Sequence, residues 1–181
     1  MKKHRFPASQ MAIDAMLAAM CTAIAALITL KLGGNLEITF ESVPVHIAAL
    51  LFGPVDGMIV AGIGNFIYQL LFSGYGLTAT TALWILPYIV CGFIVGAYAR
   101  RRDYRLTRAQ LVFIIVVSEL CVTLLNTFAL FVDSKLFGYY SAAFVFGTLA
   151  LRLVICVAKA VCYGLLLPAL LQPLRKALHL A

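Results

Sequence analysis

Charge is scarce in this sequence. Only 12% of its 181 residues are Asp, Glu, Lys or Arg, about half the share of a soluble domain. With 64% apolar residues, too little polar surface remains to cover a small globule, which excludes an ordinary water-soluble core. The apolar excess equally excludes disorder and collagen-like repeats. Acidic residues are the scarcer charged class, seven against fourteen Lys and Arg, for a net charge of +7. In a soluble protein that balance would suggest nucleic acid. Here the basic residues sit in short clusters between apolar runs, the pattern of topology signals at a lipid bilayer, and no nucleic-acid partner is implied.

Catalytic signatures are lacking as well. No GxSxG, HExxH, SxxK or Walker sequence occurs, and the histidines (His4, His46, His179) are scattered. The five cysteines (Cys21, Cys91, Cys121, Cys156, Cys162) are odd in number and isolated within apolar runs. Without a CxxC or a Cys/His pairing they indicate neither a disulfide framework nor a metal site, and they read as small apolar packing residues. No cofactor, no metal and no enzymatic activity are expected.

What is present is six apolar segments, at about residues 11–30, 43–52, 55–72, 81–99, 109–132 and 141–171. They predict an all-α integral membrane protein of six transmembrane helices, one domain over residues 1–181. The basic start, Met1-Lys2-Lys3-His4-Arg5, superficially resembles a secretory signal. Asp14 interrupts the following run, so a first membrane helix with a basic cytoplasmic flank is the expectation. The second segment is short enough to be re-entrant. The loop at 100–108 carries five arginines and belongs in the cytoplasm, like the N-terminus. An even number of crossings must separate the two, so the short segment has to cross. Arg175 and Lys176 then place the C-terminus inside. Ten of the fourteen basic residues are cytoplasmic on this count, two (Lys31, Lys135) external and two within the membrane. The connections at 31–42, 73–80 and 133–140 face outward, rich in Gly, Tyr, Ser and Thr, a composition suited to a lid as well as to ordinary turns.

Ionisable groups inside spans default to a functional hypothesis. Segment five carries Glu119, Thr123 and Asn126 on one helical face, and segment six carries Arg152 and Lys159 on another. Depth counting at ~1.5 Å per residue predicts Glu119 and Arg152 near mid-membrane as an ion pair, with Arg152 alternatively a ligand contact. Lys159 would snorkel toward the cytoplasmic boundary. Asn65, Tyr68, Gln69 and Phe72 form a polar-ended face on segment three. Trp84, Pro87 and Tyr88 open segment four, where the two aromatics are placed to stack a flat heterocycle, if Trp84 is not merely an interfacial belt residue. Segment one repeats Ala15, Ala19 and Ala23, beside Ala18, Thr22 and Ala26. Small residues at this spacing permit close helix approach, within the protein or to a partner.

These features converge on a known type. The stretches Phe40-Glu41-Ser42-Val43-Pro44, Leu51-Phe52-Gly53-Pro54-Val55-Asp56-Gly57, Gly74-Tyr75-Gly76-Leu77-Thr78, Trp84-Ile85-Leu86-Pro87 and Asn126-Thr127 resemble the substrate-binding S component of an energy-coupling factor (ECF) vitamin transporter, most closely the folate-type branch. The resemblance implies a six-helix subunit of the cell membrane that binds a vitamin, folate or a related pterin or heterocycle, from outside. It further implies docking on a transmembrane coupling protein driven by two ATPase subunits, with Ala15, Ala19 and Ala23 at that interface. Glu41, Tyr75, Trp84, Tyr88, Asn126 and Arg152 are the candidate ligand residues. One position departs from the branch: Cys91 precedes Gly92 where related sequences tend to carry a basic residue. The rival functions are a stand-alone channel or secondary carrier, for which no internal repeat is found, and an intramembrane enzyme using Glu119 as acid or base.

Overall fold

The computed structural model describes residues 8–31, 37–74 and 76–178. Tyr75, His4 and His179 lie outside the described residues. Helices α1 (Ala8–Leu27), α2 (Ser42–Leu51), α3 (Pro54–Leu71), α4 (Thr81–Arg101), α5 (Arg108–Leu136), α6 (Ala142–Phe146) and α7 (Leu149–Ala177) follow in chain order. A two-residue antiparallel ladder, β1 (Leu30–Lys31) with β2 (Glu37–Ile38), folds the first connection back on itself. Among the described residues, four stretches are long and apolar enough to cross a membrane: α1, α4, α5 and the run Ala142–Ala177. With α2 and α3 they make the six-segment arrangement expected.

Local chemistry sets the starts. Pro54 opens α3, where its missing N–H costs nothing, and Gly53 before it adopts φ +115°, a conformation other residues avoid. Thr107 and Gln110 form a reciprocal capping box that starts α5 directly after the arginine-rich loop. Large apolar side chains such as Met16, Phe66, Phe93, Phe113, Phe128 and Leu165 point outward, as a lipid-facing surface requires.

Two departures from the sequence expectation shape everything else. First, the last segment does not begin as one helix near Ser141. It breaks at Gly147-Thr148, so the long helix starts at Leu149, eight residues later, or ~12 Å along a helix axis. Second, α2, expected from charge parity to cross, is a ten-residue helix enclosed by its neighbours. Nine of its ten residues are buried, among α1, α3, α4 and α7. Ten residues rise about 15 Å, half of a roughly 30 Å hydrocarbon layer. Its depth is marked at both ends. Ahead of it, the Thr39 carbonyl accepts hydrogen bonds from Lys159 Nζ and Tyr163 Oη, both 3.2 Å, midway along α7. At its far end, Arg175 donates to the Leu50 and Tyr104 carbonyls at 3.3 and 3.1 Å. The short helix therefore fills only the half of the bundle that carries the arginine-rich loop, and the other half is left to open space.

The filled half is bound backbone to backbone. A Cβ added to Gly92 would stand 2.5 Å from the Gly57 carbonyl carbon, and one on Gly96 2.4 Å from Pro54. Only glycine permits α3 and α4 to approach so closely here. On the far side of α3, a Cβ on Gly64 would meet Cys21 of α1 at 2.7 Å, and Thr22 Oγ1 donates to the Gly64 carbonyl at 2.8 Å.

Candidate vitamin-binding cavity

The half of the bundle that α2 leaves open holds a cavity of about 850 Å³, within the usual range of small-molecule sites. Thr39 and Glu41 form its floor, brought to mid-bundle by the connection that leads into α2. Asn65, Tyr68 and Gln69 line it from α3, Trp84 and Tyr88 from α4, Asn126 and Asp133 from α5, and Arg152 from α7. Gly76, Thr78, Phe137, Tyr139 and Phe144, from the connections and α6, lie around its rim.

Glu41, Tyr88 and Asn126 present a carboxylate, a phenol hydroxyl and an amide to the same cavity. Asn126 Oδ1, although buried, has no hydrogen-bond partner. A buried amide oxygen left unpaired is costly, and a ligand N–H would satisfy it. Arg152 reaches the Thr127 hydroxyl at 3.3 Å. At the rim, the Asp133 carboxylate accepts hydrogen bonds from the Thr80 and Tyr139 hydroxyls, joining two of the glycine- and tyrosine-rich connections over the opening.

Five of the six candidate ligand residues, Glu41, Trp84, Tyr88, Asn126 and Arg152, thus share one cavity, and the sixth, Tyr75, lies outside the described residues. Trp84 faces the cavity. Phe72, read with the polar face of segment three, is instead largely exposed.

The expected ion pair between Glu119 and Arg152 does not form. Glu119 Oε2 pairs with Lys159 Nζ at 2.9 Å. The late start of α7 is the reason: Arg152 comes only three residues after Leu149, ~4.5 Å along the helix, near the open end, while Lys159 takes the mid-bundle depth. Lys159 accordingly does not snorkel. It points inward, divided between Glu119 and the Thr39 carbonyl.

Residues 5–176 match the family of the ECF-type riboflavin transporter, S component. The chain belongs to that family. No curated protein matches it in sequence. Among solved structures, the fold resembles an S component for biotin from an ECF-type ABC transporter, with TM-score 0.67 and 16% identity over 93% of this chain and 91% of that one. It also resembles FolT bound with folic acid, with TM-score 0.65 and 18% identity over 87% of this chain and 95% of that one. The S-component assignment made from the sequence is therefore borne out. The family is one of membrane transporter subunits, not enzymes, and the chain is a multi-pass membrane protein.

The two small-residue ladders of this S component have separate faces. Ala18 and Thr22 are buried against α3, which answers to packing within the protein. Ala15, Ala19 and Ala23 are exposed, on the adjoining strip of α1. Of the cysteines, Cys21, Cys91 and Cys156 are buried, Cys121 is half-buried and Cys162 is exposed, so packing describes only part of the set. Cys91 has a further neighbour that sequence spacing gave no sign of. His46, 45 residues away in the chain, brings Nε2 within 3.6 Å of its sulfur.

Proposed function

We propose that this S component captures a flat heterocyclic vitamin of the flavin or pterin class from outside the cell and presents it to an ATP-driven transport module. The observation that carries the reading is the cavity, where two aromatic rings, Trp84 and Tyr88, stand beside the unpartnered Asn126 Oδ1. Ring faces stack the ligand, Asn126 accepts from its edge, and Glu41 and Arg152 provide one charge of each sign for its polar periphery. The whole chain, residues 1–181, acts as one domain with both termini in the cytoplasm. The basic clusters at 100–108 and at Arg175 and Lys176 support that orientation, because they lie at the end opposite the cavity and short basic loops stay inside.

The partners are a transmembrane coupling protein and two ATPase subunits. Ala15, Ala19 and Ala23 offer the coupling protein a surface that its helix can approach closely. Native mass spectrometry of the detergent-purified chain, with riboflavin, folic acid and biotin titrated separately, tests the reading. A stoichiometric complex with riboflavin or folic acid is expected. Binding of biotin alone, or of none of the three, overturns it.

A further inference from the structure

The inner half of the bundle contains a cluster that ligand capture does not use. His46 of α2, Cys91 of α4 and Glu119 of α5 converge with 0, 0 and 1% of their surface exposed, and their ligating atoms all lie within 4.8 Å of one another. We propose that His46, Cys91 and Glu119 form a binding site for one divalent cation of the zinc class.

The geometry is close to what such an ion needs. Zinc bonds of about 2.3 Å to sulfur and 2.0–2.1 Å to nitrogen in a tetrahedron separate the two ligand atoms by ~3.5 Å. Cys91 Sγ and His46 Nε2 are 3.6 Å apart, and His46 Nε2 and Glu119 Oε1 3.8 Å. The imidazole is also oriented for the task. His46 Nδ1 donates to the Ser42 carbonyl at 2.6 Å, which leaves the lone pair on Nε2, facing the cluster. A backbone carbonyl on the far nitrogen is the usual support of a metal-binding histidine. Glu119 Oε1, aimed at the same point, has no hydrogen-bond partner, although its sister oxygen is held by Lys159. Ser118 Oγ lies 3.2 Å from Nε2 and donates to the Ile115 carbonyl at 2.9 Å.

The ligand set is chemically coherent. One thiolate, one imidazole and one carboxylate suit zinc and exclude the hard cations, which take oxygen. Binding forms the sulfur–metal bond as the thiol proton leaves to solvent, so one proton is released per cation. The thiolate supplies one new negative charge, and Glu119 is shared between the cation and Lys159, so the loaded cluster carries one net positive charge. The route from solvent is short, since Cys91 follows Tyr88 of the cavity wall by one helical turn. A cation here would tie α2, α4 and α5 together beneath the cavity, whichever vitamin the cavity takes.

The test is a cobalt(II) titration of the full chain in detergent, free of any affinity tag and stripped by chelator. One equivalent of cobalt is expected to produce a thiolate-to-cobalt charge-transfer band in the near ultraviolet, to release one proton and to be displaced by zinc. The band should vanish in Cys91→Ser, persist in Cys162→Ser, and require at least tenfold more cobalt in His46→Gln. X-ray absorption of the zinc-loaded wild-type chain, which needs no variant to fold, should show one sulfur near 2.3 Å among nitrogen and oxygen neighbours. Absence of the band at stoichiometric cobalt, its survival in Cys91→Ser, its loss in Cys162→Ser or an all-oxygen shell around zinc would each refute the site.

Discussion

Replacing Lys159 by Met removes the cation from a pair whose carboxylate is 1% exposed and 2.9 Å away. Glu119 would then keep a buried negative charge with one oxygen already unpartnered and the other newly so. Breaking such a pair from one side costs about 3–5 kcal/mol. In a chain of this length 1 kcal/mol moves the melting temperature by roughly 2–4 °C, so the apo protein should melt ~6–20 °C lower. Lys159 also holds the Thr39 carbonyl at 3.2 Å, so part of the loss falls on the cavity floor. Glu119→Gln should cost less, since the amide oxygen still accepts from Lys159 and the ammonium keeps Thr39 and the Tyr163 ring, 5.6 Å from its centroid. Combining the two substitutions removes both charges, and the double variant should melt higher than Lys159→Met alone, a coupling that only a direct pair produces. Thermal unfolding in detergent, followed by intrinsic fluorescence, reads all three variants. A shift under ~2 °C for Lys159→Met, or simple additivity in the double variant, would refute the pairing. Arg152→Met, in contrast, should leave the apo melting temperature within ~2 °C of the parent, because Glu119 does not depend on it.

The remaining predictions concern ligand, partner and orientation. Trp84→Ala and Asn126→Ala should each weaken vitamin binding about tenfold, near 1.4 kcal/mol, without lowering apo stability; titration calorimetry that finds parental affinity in both places the ligand elsewhere. Ala19→Leu and Ala23→Leu should abolish uptake while binding and melting temperature stay unchanged. Ala18→Leu, on the buried face, should instead destabilise by about 1–3 kcal/mol through overpacking, and equal melting curves for the two classes would contradict the division of faces. In a Cys162→Ser background, a cysteine at Arg102 should react with an impermeant thiol reagent only from the cytoplasmic side and one at Ser141 only from outside; reaction of both from one side would invert a helix.

Much of the frame was legible before any coordinates. Segment limits of 43–52 and 55–72 fall within one residue of α2 and α3, because Pro54 and the tight FGP turn punctuate the chain unambiguously. The polar faces of segments three and five were readable from helical spacing alone, and Asn65, Tyr68, Gln69 and Asn126 from them line the cavity, while Glu119 pairs with Lys159 instead. Depth was the weak quantity. Hydropathy reads residues 141 to 171 as one apolar run, because a single Gly-Thr step inside it does not by itself separate two helices. The eight-residue shift then moved Arg152 off Glu119. Nor does any local pattern join His46 to Cys91, whose proximity depends on α2 being enclosed by the bundle. A ten-residue apolar helix reads the same whether lipid or protein surrounds it.

The glycine contacts between α3 and α4 divide the molecule mechanically. Where backbone meets backbone at Gly57, Gly92, Gly96 and Pro54, no side-chain rotamers are available to absorb a displacement, and packed interiors of this kind transmit strain with little compliance. At the opposite end, cohesion depends on a few hydroxyl–carboxylate bonds at Asp133 and on connections containing Gly74, Gly76 and Gly138, all with positive φ and nothing within 4 Å of a would-be Cβ. The protein is thus a stiff base carrying a soft rim. Under the proposed function, vitamin admission and closure would fall to the rim, and with them the entropy lost on binding. A partner gripping α1 meets a body that moves as one piece.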